Sequence, residues 1–467
     1  MNQRATSLDA LRGYAILTMV LSATVVGGIL PGWMYHAQTP PPTHAFNPEL
    51  PGLTWVDLVF PFFLFSMGAA FPFSIGKRIE RGEPLWRLSW DALKRGLQLT
   101  FFAIFIQHFY PYMLSSPQDL RAWLWAIGCF IVLFPMFMRL PFKLPVWGHI
   151  AIKWAAYAVA VVMLLTVQRV GESNFSLYTS NVIILLLANM ALFGTLLYLF
   201  TRNHPWMRVG VLAILAALML SAKVEGSWSA SLAAFTPVGW MYRFDYLMYL
   251  FIVIPGSFAG ELLLEWMQGV NKAEASRPSA RVAHGVWIGG LAIVLINLVC
   301  LYNRWCVACL LLSVAVWALM GLLFRKPEGA TTIFWKKLWM LGGALLLLGL
   351  CIEPFQEGIK KDPATFSYFF VTSGLACMAL MVLHVWCDHF HLRRSTSFLV
   401  MSGQNPMIAY VAGDLLVMPL LGMFGITSLF GVFYTNGWMG FLQGVLLTSL
   451  SLLVTIFFTK KRWFWRT

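Results

Sequence analysis

The sequence predicts an all-α polytopic membrane bundle of about 12–14 transmembrane helices, with the N- and C-termini cytoplasmic. Three observations predict it. Hydrophobic residues fill 59% of the chain and charged residues only 11%, where a soluble domain carries about 25% charged residues. Apolar runs recur almost without pause, each long enough, or nearly so, to cross roughly 30 Å of hydrocarbon as a helix. The basic residues fall in alternate connections: all but Arg121, Arg169, Lys223, Arg243, Arg304, Lys360 and Lys361 of the 33 Lys and Arg lie on one side, which marks that side as cytoplasmic.

The first run, 8–30, lacks a small-residue cleavage site and reads as a retained helix rather than a signal peptide. The second, 54–76, holds no charged residue from Leu58 to Ile75 and ends at Lys77 and Arg78. Runs 92–113, 121–138, 147–168, 179–200 and 206–222 follow, then 245–267, 283–301, 305–324, 337–353, 366–386, 398–423 and 436–459. Membrane-spanning strands would show alternating segments of about ten residues instead. The chain reads as a single transmembrane domain, 1–467, with halves 1–267 and 283–467 joined by a cytoplasmic linker at 268–282 (QGVNKAEASRPSARV). The net charge of +14 follows from the positive-inside pattern, and no basic stretch has the context of a nucleic-acid reader. The lipid bilayer is the partner that the composition requires; a homodimer is compatible with it.

Chemistry concentrates between Thr43 and Gly68 (THAFNPELPGLTWVDLVFPFFLFSMG). Asp57 stands about one turn inside the outer end of the second span, at a helix N-terminus whose dipole favours a carboxylate. A charge near the bilayer centre costs roughly 2.5–3.5 kcal/mol, and less near the ends. His44, in the preceding polar loop, pairs with Asp57 in the functional reading, as an imidazole oriented by an acid. In the plain reading Asp57 caps its helix and His44 is a loop residue. His36, in the same loop, is the rival histidine.

Other clusters read more plainly. In Cys387-Asp388-His389-Phe390-His391, histidines two apart do not share a helix face, so no metal site is expected there. Cys306 and Cys309 match a redox spacing but begin an apolar helix. The cytoplasmic cluster Lys77, Arg78, Arg81, Arg87, Lys94 and Arg95 suits phosphate groups as well as membrane anchoring. The outer loop from Glu353 to Asp362, with Lys360 and Lys361, suits a polar sugar or a solvated turn. Asp245, Glu261 and Asp414, in or beside spans, read as structurally paired acids, and Asn405 as an interhelical amide.

Several stretches resemble the heparan-α-glucosaminide N-acetyltransferase family and its bacterial homologues. They are Ser7-Leu8-Asp9-Ala10-Leu11-Arg12-Gly13, His44-Ala45, Leu53-Thr54-Trp55-Val56-Asp57-Leu58-Val59-Phe60-Pro61 and Met67-Gly68, with Phe244-Asp245, Ser367-Tyr368 and Gly403-Gln404-Asn405 in order beyond them. The resemblance is strong only over 7–68. It implies transfer of an acetyl group from cytoplasmic acetyl-CoA to a glucosamine-type amino sugar on the far side, in a bacterial inner membrane, with no metal. His44 then acts as base or nucleophile beside Asp57. Lys77, Arg78, Arg81, Lys94, Arg95 and Asn405 are the expected donor-binding residues, and Asn47, Asp245 and Lys360 the expected acceptor-binding ones. The alternatives are a sugar or glycan transporter or flippase, and an O-acetyltransferase of envelope polysaccharide.

Overall fold

The structure, a computed structural model, describes residues 5–138, 140–141, 144–171, 175–270, 278–327 and 329–467. Among them the only β-structure is two isolated bridges, Met138 with Trp465 and Lys361 with Ala364. Among the described residues eleven helices are long and apolar enough to cross a membrane, so the chain is a multi-pass, all-α membrane protein. The principal helices are α1 (Thr6–Thr24), α2 (Trp55–Ala69), α3 (Leu85–Phe109), α4 (Leu120–Phe137), α5 (Val146–Thr166), α6 (Val182–Thr201) and α7 (Pro205–Ser221). Beyond them lie α8 (Leu250–Val270), α9 (Ala280–Tyr302), α10 (Cys306–Leu323), α11 (Gly329–Ile352), α12 (Phe366–His384), α13 (Arg393–Gln404), α14 (Pro406–Ala412) and α15 (Gly437–Lys460). A π-turn over Gly413–Val417 and a final turn to Met423 extend α14.

Helices α1, α3, α7 and α13 lie outside the eleven, and hydrogen bonds tie α1 and α3 into the bundle. Helix α1 runs from Ser7, whose N–H donates to Asp388 beyond the end of α12, to Thr24, whose hydroxyl reaches the Gly444 carbonyl near the start of α15. Helix α3 passes its Ala103 carbonyl to the Asn181 N–H at the head of α6. Lipid satisfies no backbone polar group, so crossing segments must be helical and irregular backbone must sit against protein or water.

The core gathers around α2 and α12. Their most apolar windows are 83% and 89% buried, against 17% for α10, which turns its side chains to lipid with α5 and α15. Helices α1, α2 and α12 pack on one another, and α8 packs on α2 and α12. Glycine permits the closest crossings. A Cβ on Gly13 would lie 1.8 Å from the Leu399 carbonyl oxygen, and one on Gly403 1.8 Å from that of Asp9, so α1 and α13 meet backbone to backbone. Because α1 packs on α13 and α15, and α8 on α11 and α12, the two halves of the chain interlock. Residues 271–277 of the expected linker lie outside the described residues.

The run expected as one span over 398–423 is broken. Helix α13 ends at Gln404, and the crossing occupies Pro406–Met423. Pro406 has no N–H to continue the helix and disfavours helical dihedrals at the residue before it; Asn405 adopts φ −133°, ψ 56°. Two of the acids pair as expected: Arg208, fully buried, holds Glu261 at 2.8 Å and the Ser257 hydroxyl at 2.9 Å, and Arg243 holds Asp245 at 3.0 Å.

The charge pattern makes the face bearing Glu49 external and the face bearing Arg81 cytoplasmic. In a cysteine-free background, Glu49→Cys in cells or right-side-out vesicles should react with a membrane-impermeant maleimide. Arg81→Cys should react only after permeabilisation, and labelling of Arg81→Cys in intact cells would invert the topology.

Candidate functional site

The loop between α1 and α2 is organised by a small apolar cluster of Val26, Leu30, Met34 and Tyr35. The Tyr35 hydroxyl donates to the Val26 carbonyl at 2.6 Å and accepts from the Leu30 N–H at 3.2 Å. His36, the next residue, is thereby delivered to the mouth of α2.

There the Thr54-x-x-Asp57 spacing forms a capping box. Asp57 Oδ2 accepts from the Thr54 N–H at 3.1 Å, the Thr54 hydroxyl at 3.0 Å and the Ala37 N–H at 3.2 Å. Asp57 Oδ1 faces His36 Nδ1 at 2.7 Å. A carboxylate only accepts, so Nδ1 carries the proton and Nε2 is left as the basic nitrogen. The carboxylate is 2% exposed and the histidine 40% exposed: the acid is locked in protein and the base is open.

The Asp57-Leu58-Val59-Phe60-Pro61 block has a backbone reason. Pro61 has no N–H, so the Asp57 carbonyl lacks its partner four residues on. The Tyr368 hydroxyl, from α12, donates to that carbonyl at 2.9 Å. Helix α12 thus fixes the first turn of α2, and with it the acid.

Lys361 is the third member. Its Nζ lies 3.1 and 3.4 Å from the two His36 ring nitrogens and 4.0 Å from Asp57 Oδ1. Gln38 clamps the two loops together, donating to the Asp362 carbonyl at 2.7 Å and accepting from the Asp362 N–H at 2.9 Å. Burial pushes the Lys361 ammonium below the usual lysine range, while the Asp57 and Asp362 carboxylates oppose that shift.

Several expected residues are placed elsewhere. His44 does not reach Asp57: its Nε2 accepts from the Gly28 N–H at 2.8 Å, its Nδ1 faces the Thr39 carbonyl at 3.2 Å, and its ring meets Tyr35 edge-on. With both ring nitrogens occupied it is a strut of the loop, and His36 takes the position expected of it. Lys360 turns away to Glu49 at 2.9 Å, because its neighbour Lys361 points the opposite way. The exposed Asn47 caps a turn through the Glu49 N–H, and Asp245 is held by Arg243 at the surface. Asn405, fully buried, uses both ends of its amide on the C-terminal segment, donating to the Trp463 carbonyl at 2.8 Å and accepting from the Trp465 N–H at 3.3 Å.

Two cavities flank these elements. The outer one, about 240 Å³, is lined by Ser22, Thr24, His36, Lys361, Tyr410 and Asp414 among others. The inner one, about 340 Å³, is rimmed by Arg12, Arg95 and Arg466. Met19, Phe60, Ile183 and Tyr410 line both, so the two meet end to end. A cytoplasmic pocket of about 330 Å³ adjoins the inner cavity at Phe71, Ser74, Arg95 and Thr467, and adds Arg78, Lys94 and Lys153. Of the expected donor-binding cluster, Arg95 and Lys94 reach these cavities. Arg78 does too, but Glu83 and Asp91 each hold it at 2.6 Å. Lys77 and Arg81 are exposed and line none of the three. Arg12, Lys153 and Arg466 were not foreseen. Among the described residues the buried Arg95 Nε has no hydrogen-bond partner.

Among the described residues no three His, Cys, Asp or Glu side chains group as a metal site. In the 387–391 run, Asp388 instead accepts from the Ser7 N–H.

The Pro61–Tyr368 relation yields a double-mutant test. Tyr368→Phe leaves a buried carbonyl unpaired and should cost about 1–3 kcal/mol, read as a lowered unfolding midpoint in detergent. Pro61→Ala restores a helical donor to the same carbonyl, so Tyr368→Phe should cost less in that background. Strictly additive losses would contradict the relation.

Residues 4–263 match a family described as domain of unknown function (DUF5009), and the chain belongs to that family. None of the curated proteins compared matches it.

Proposed function

We propose that this DUF5009 member is a membrane acyltransferase that moves an acetyl group from cytoplasmic acetyl-CoA to an amino sugar of glucosamine type on the opposite face. In a bacterial inner membrane that face is the periplasmic one. The observation that carries the reading is the His36–Asp57 pair at an outer cavity that meets, end to end, an inner cavity rimmed by arginine. Acyl transfer across a membrane needs both: an anion-compatible entry for a phosphate-bearing donor and a base where the acceptor arrives.

The donor phosphates stay near Arg95, Lys94, Lys153 and Arg466, at the cytoplasmic pocket and the inner rim. The pantetheine arm extends into the inner cavity, and the thioester comes to the junction at Met19, Phe60, Ile183 and Tyr410. The acceptor amine approaches from the outer cavity. His36 Nε2 takes a proton from the nitrogen as the N–C bond forms, and Asp57 Oδ1 stabilises the resulting imidazolium. When the tetrahedral intermediate collapses the C–S bond breaks, and His36 returns the proton to the departing CoA thiolate. The Lys361 ammonium beside the ring favours the negative charge that develops during attack.

Two end-to-end cavities also suit a transporter, the second reading. An assay of purified protein in lipid with labelled acetyl-CoA and glucosamine separates the two. Label should enter N-acetylglucosamine. His36→Ala should lower turnover by about 100-fold or more, within the range for a lost general base, and His44→Ala should change it by only a few-fold. Wild-type turnover by His36→Ala would overturn the assignment. Glucosamine flux without acetyl-CoA would favour transport.

A further inference from the structure

Asp414 departs from the expectation of a structurally paired acid. It lies within the α14 crossing, on the π-turn Gly413–Val417. It is enclosed by the bundle yet accessible, and the space it opens to is the outer cavity. Among the described residues it makes no hydrogen bond and no ion pair; its near neighbours include the phenols of Tyr110, Tyr112 and Tyr410. A carboxylate kept in a membrane span is costly and marks a functional position. π-turns, in which the extra residue re-aims side chains, occur frequently at functional sites.

The other charges of this cavity are already committed. Lys361 lies against the His36 ring and 4.0 Å from Asp57, whose carboxylate holds His36. Glu261 and Asp245, the two acids expected to resemble Asp414, have arginines. Asp414 is therefore an anion facing a ligand cavity without a cation of its own.

We propose that Asp414 is the subsite for the positively charged amino group of the acceptor. This rests on the acyltransfer reading above and deepens it. A primary amine arrives at neutral pH as an ammonium, which has no lone pair to attack a thioester. Asp414 draws the ammonium into the cavity that it shares with His36; one proton passes to outer water to leave the neutral amine, and His36 Nε2 takes the second as the N–C bond forms. The carboxylate thus selects amine acceptors over hydroxyl acceptors, a choice that the histidine and acid pair alone does not make. A neutral sugar hydroxyl gains no ion pair here and leaves the carboxylate desolvated.

The test uses the full chain in lipid nanodiscs. Transfer kinetics are measured with glucosamine and acetyl-CoA, and equilibrium binding of glucosamine and of glucose is measured without donor, for wild type and Asp414→Asn. KM for glucosamine should rise at least tenfold while KM for acetyl-CoA stays unchanged. Glucosamine affinity should fall to a similar degree, with glucose bound weakly and equally by both proteins. Asp414→Glu, which keeps the charge, should retain the preference for glucosamine over glucose, and supplies the test if Asp414→Asn does not fold. Unchanged glucosamine KM and affinity in Asp414→Asn, or loss of the preference in Asp414→Glu, would overturn the assignment. His36-dependent transfer with an indifferent Asp414 would remove this inference and leave the acyltransferase reading. Asp414-dependent glucosamine binding with no transfer by wild type would do the reverse.

Discussion

The first turn of α2 has to hold a carboxylate at the membrane boundary in one orientation, and the site follows from how it does so. Asp57 divides its two oxygens. Oδ2 is consumed by the helix cap and the Ala37 N–H, while Oδ1 is left to His36. The cap makes the acid a fixed part of the helix rather than a mobile side chain. Its own carbonyl, freed by Pro61, is taken by Tyr368. One residue therefore joins the outer loop, α2 and α12, and the histidine inherits the rigidity of the most enclosed part of the bundle. Capping and orienting an imidazole, offered by the sequence as alternative roles for Asp57, are served by the two oxygens of one carboxylate.

Around this point the charges are arranged by depth. Arginines rim the inner cavity; a histidine, a lysine and an aspartate line the outer one. The apolar Met19, Phe60 and Ile183, with Tyr410, stand at the junction. For the proposed transfer, such a series would separate the polar ends of the two reactants and bring their reactive atoms together in a mostly apolar segment, where electrostatic interactions are strongest.

The helical bundle was legible because hydropathy reports directly on lipid contact, and each expected run overlaps a helix. The break at Asn405-Pro406 was missed although proline marks it, because the apolar pattern on either side reads as one span. The value of Asp57 was legible from the cost of its position. The histidine was not: His36-Ala37 and His44-Ala45 are two similar dipeptides in an irregular loop with no periodicity to say which reaches the helix. The Tyr35–Val26 and Gln38–Asp362 bonds decide it. Lys360 and Lys361 differ only in the side to which they point. Asn405 read as an interhelical amide or donor contact because its partners, Trp463 and Trp465, come from a tail that spacing alone does not place. Asp414 read as a paired acid because nothing local announces the π-turn that carries it.

In the proposed reaction donor and acceptor enter from opposite faces and meet at His36. Sidedness tests it directly. The protein is reconstituted in vesicles with its orientation established by protease accessibility, labelled acetyl-CoA is supplied at the cytoplasmic face, and glucosamine only at the other. Labelled N-acetylglucosamine should accumulate on the acceptor side, while acetyl-CoA placed with glucosamine on that side should yield none. Product formed with both reactants on the outer face, or formed only when both share the cytoplasmic face, would contradict the account.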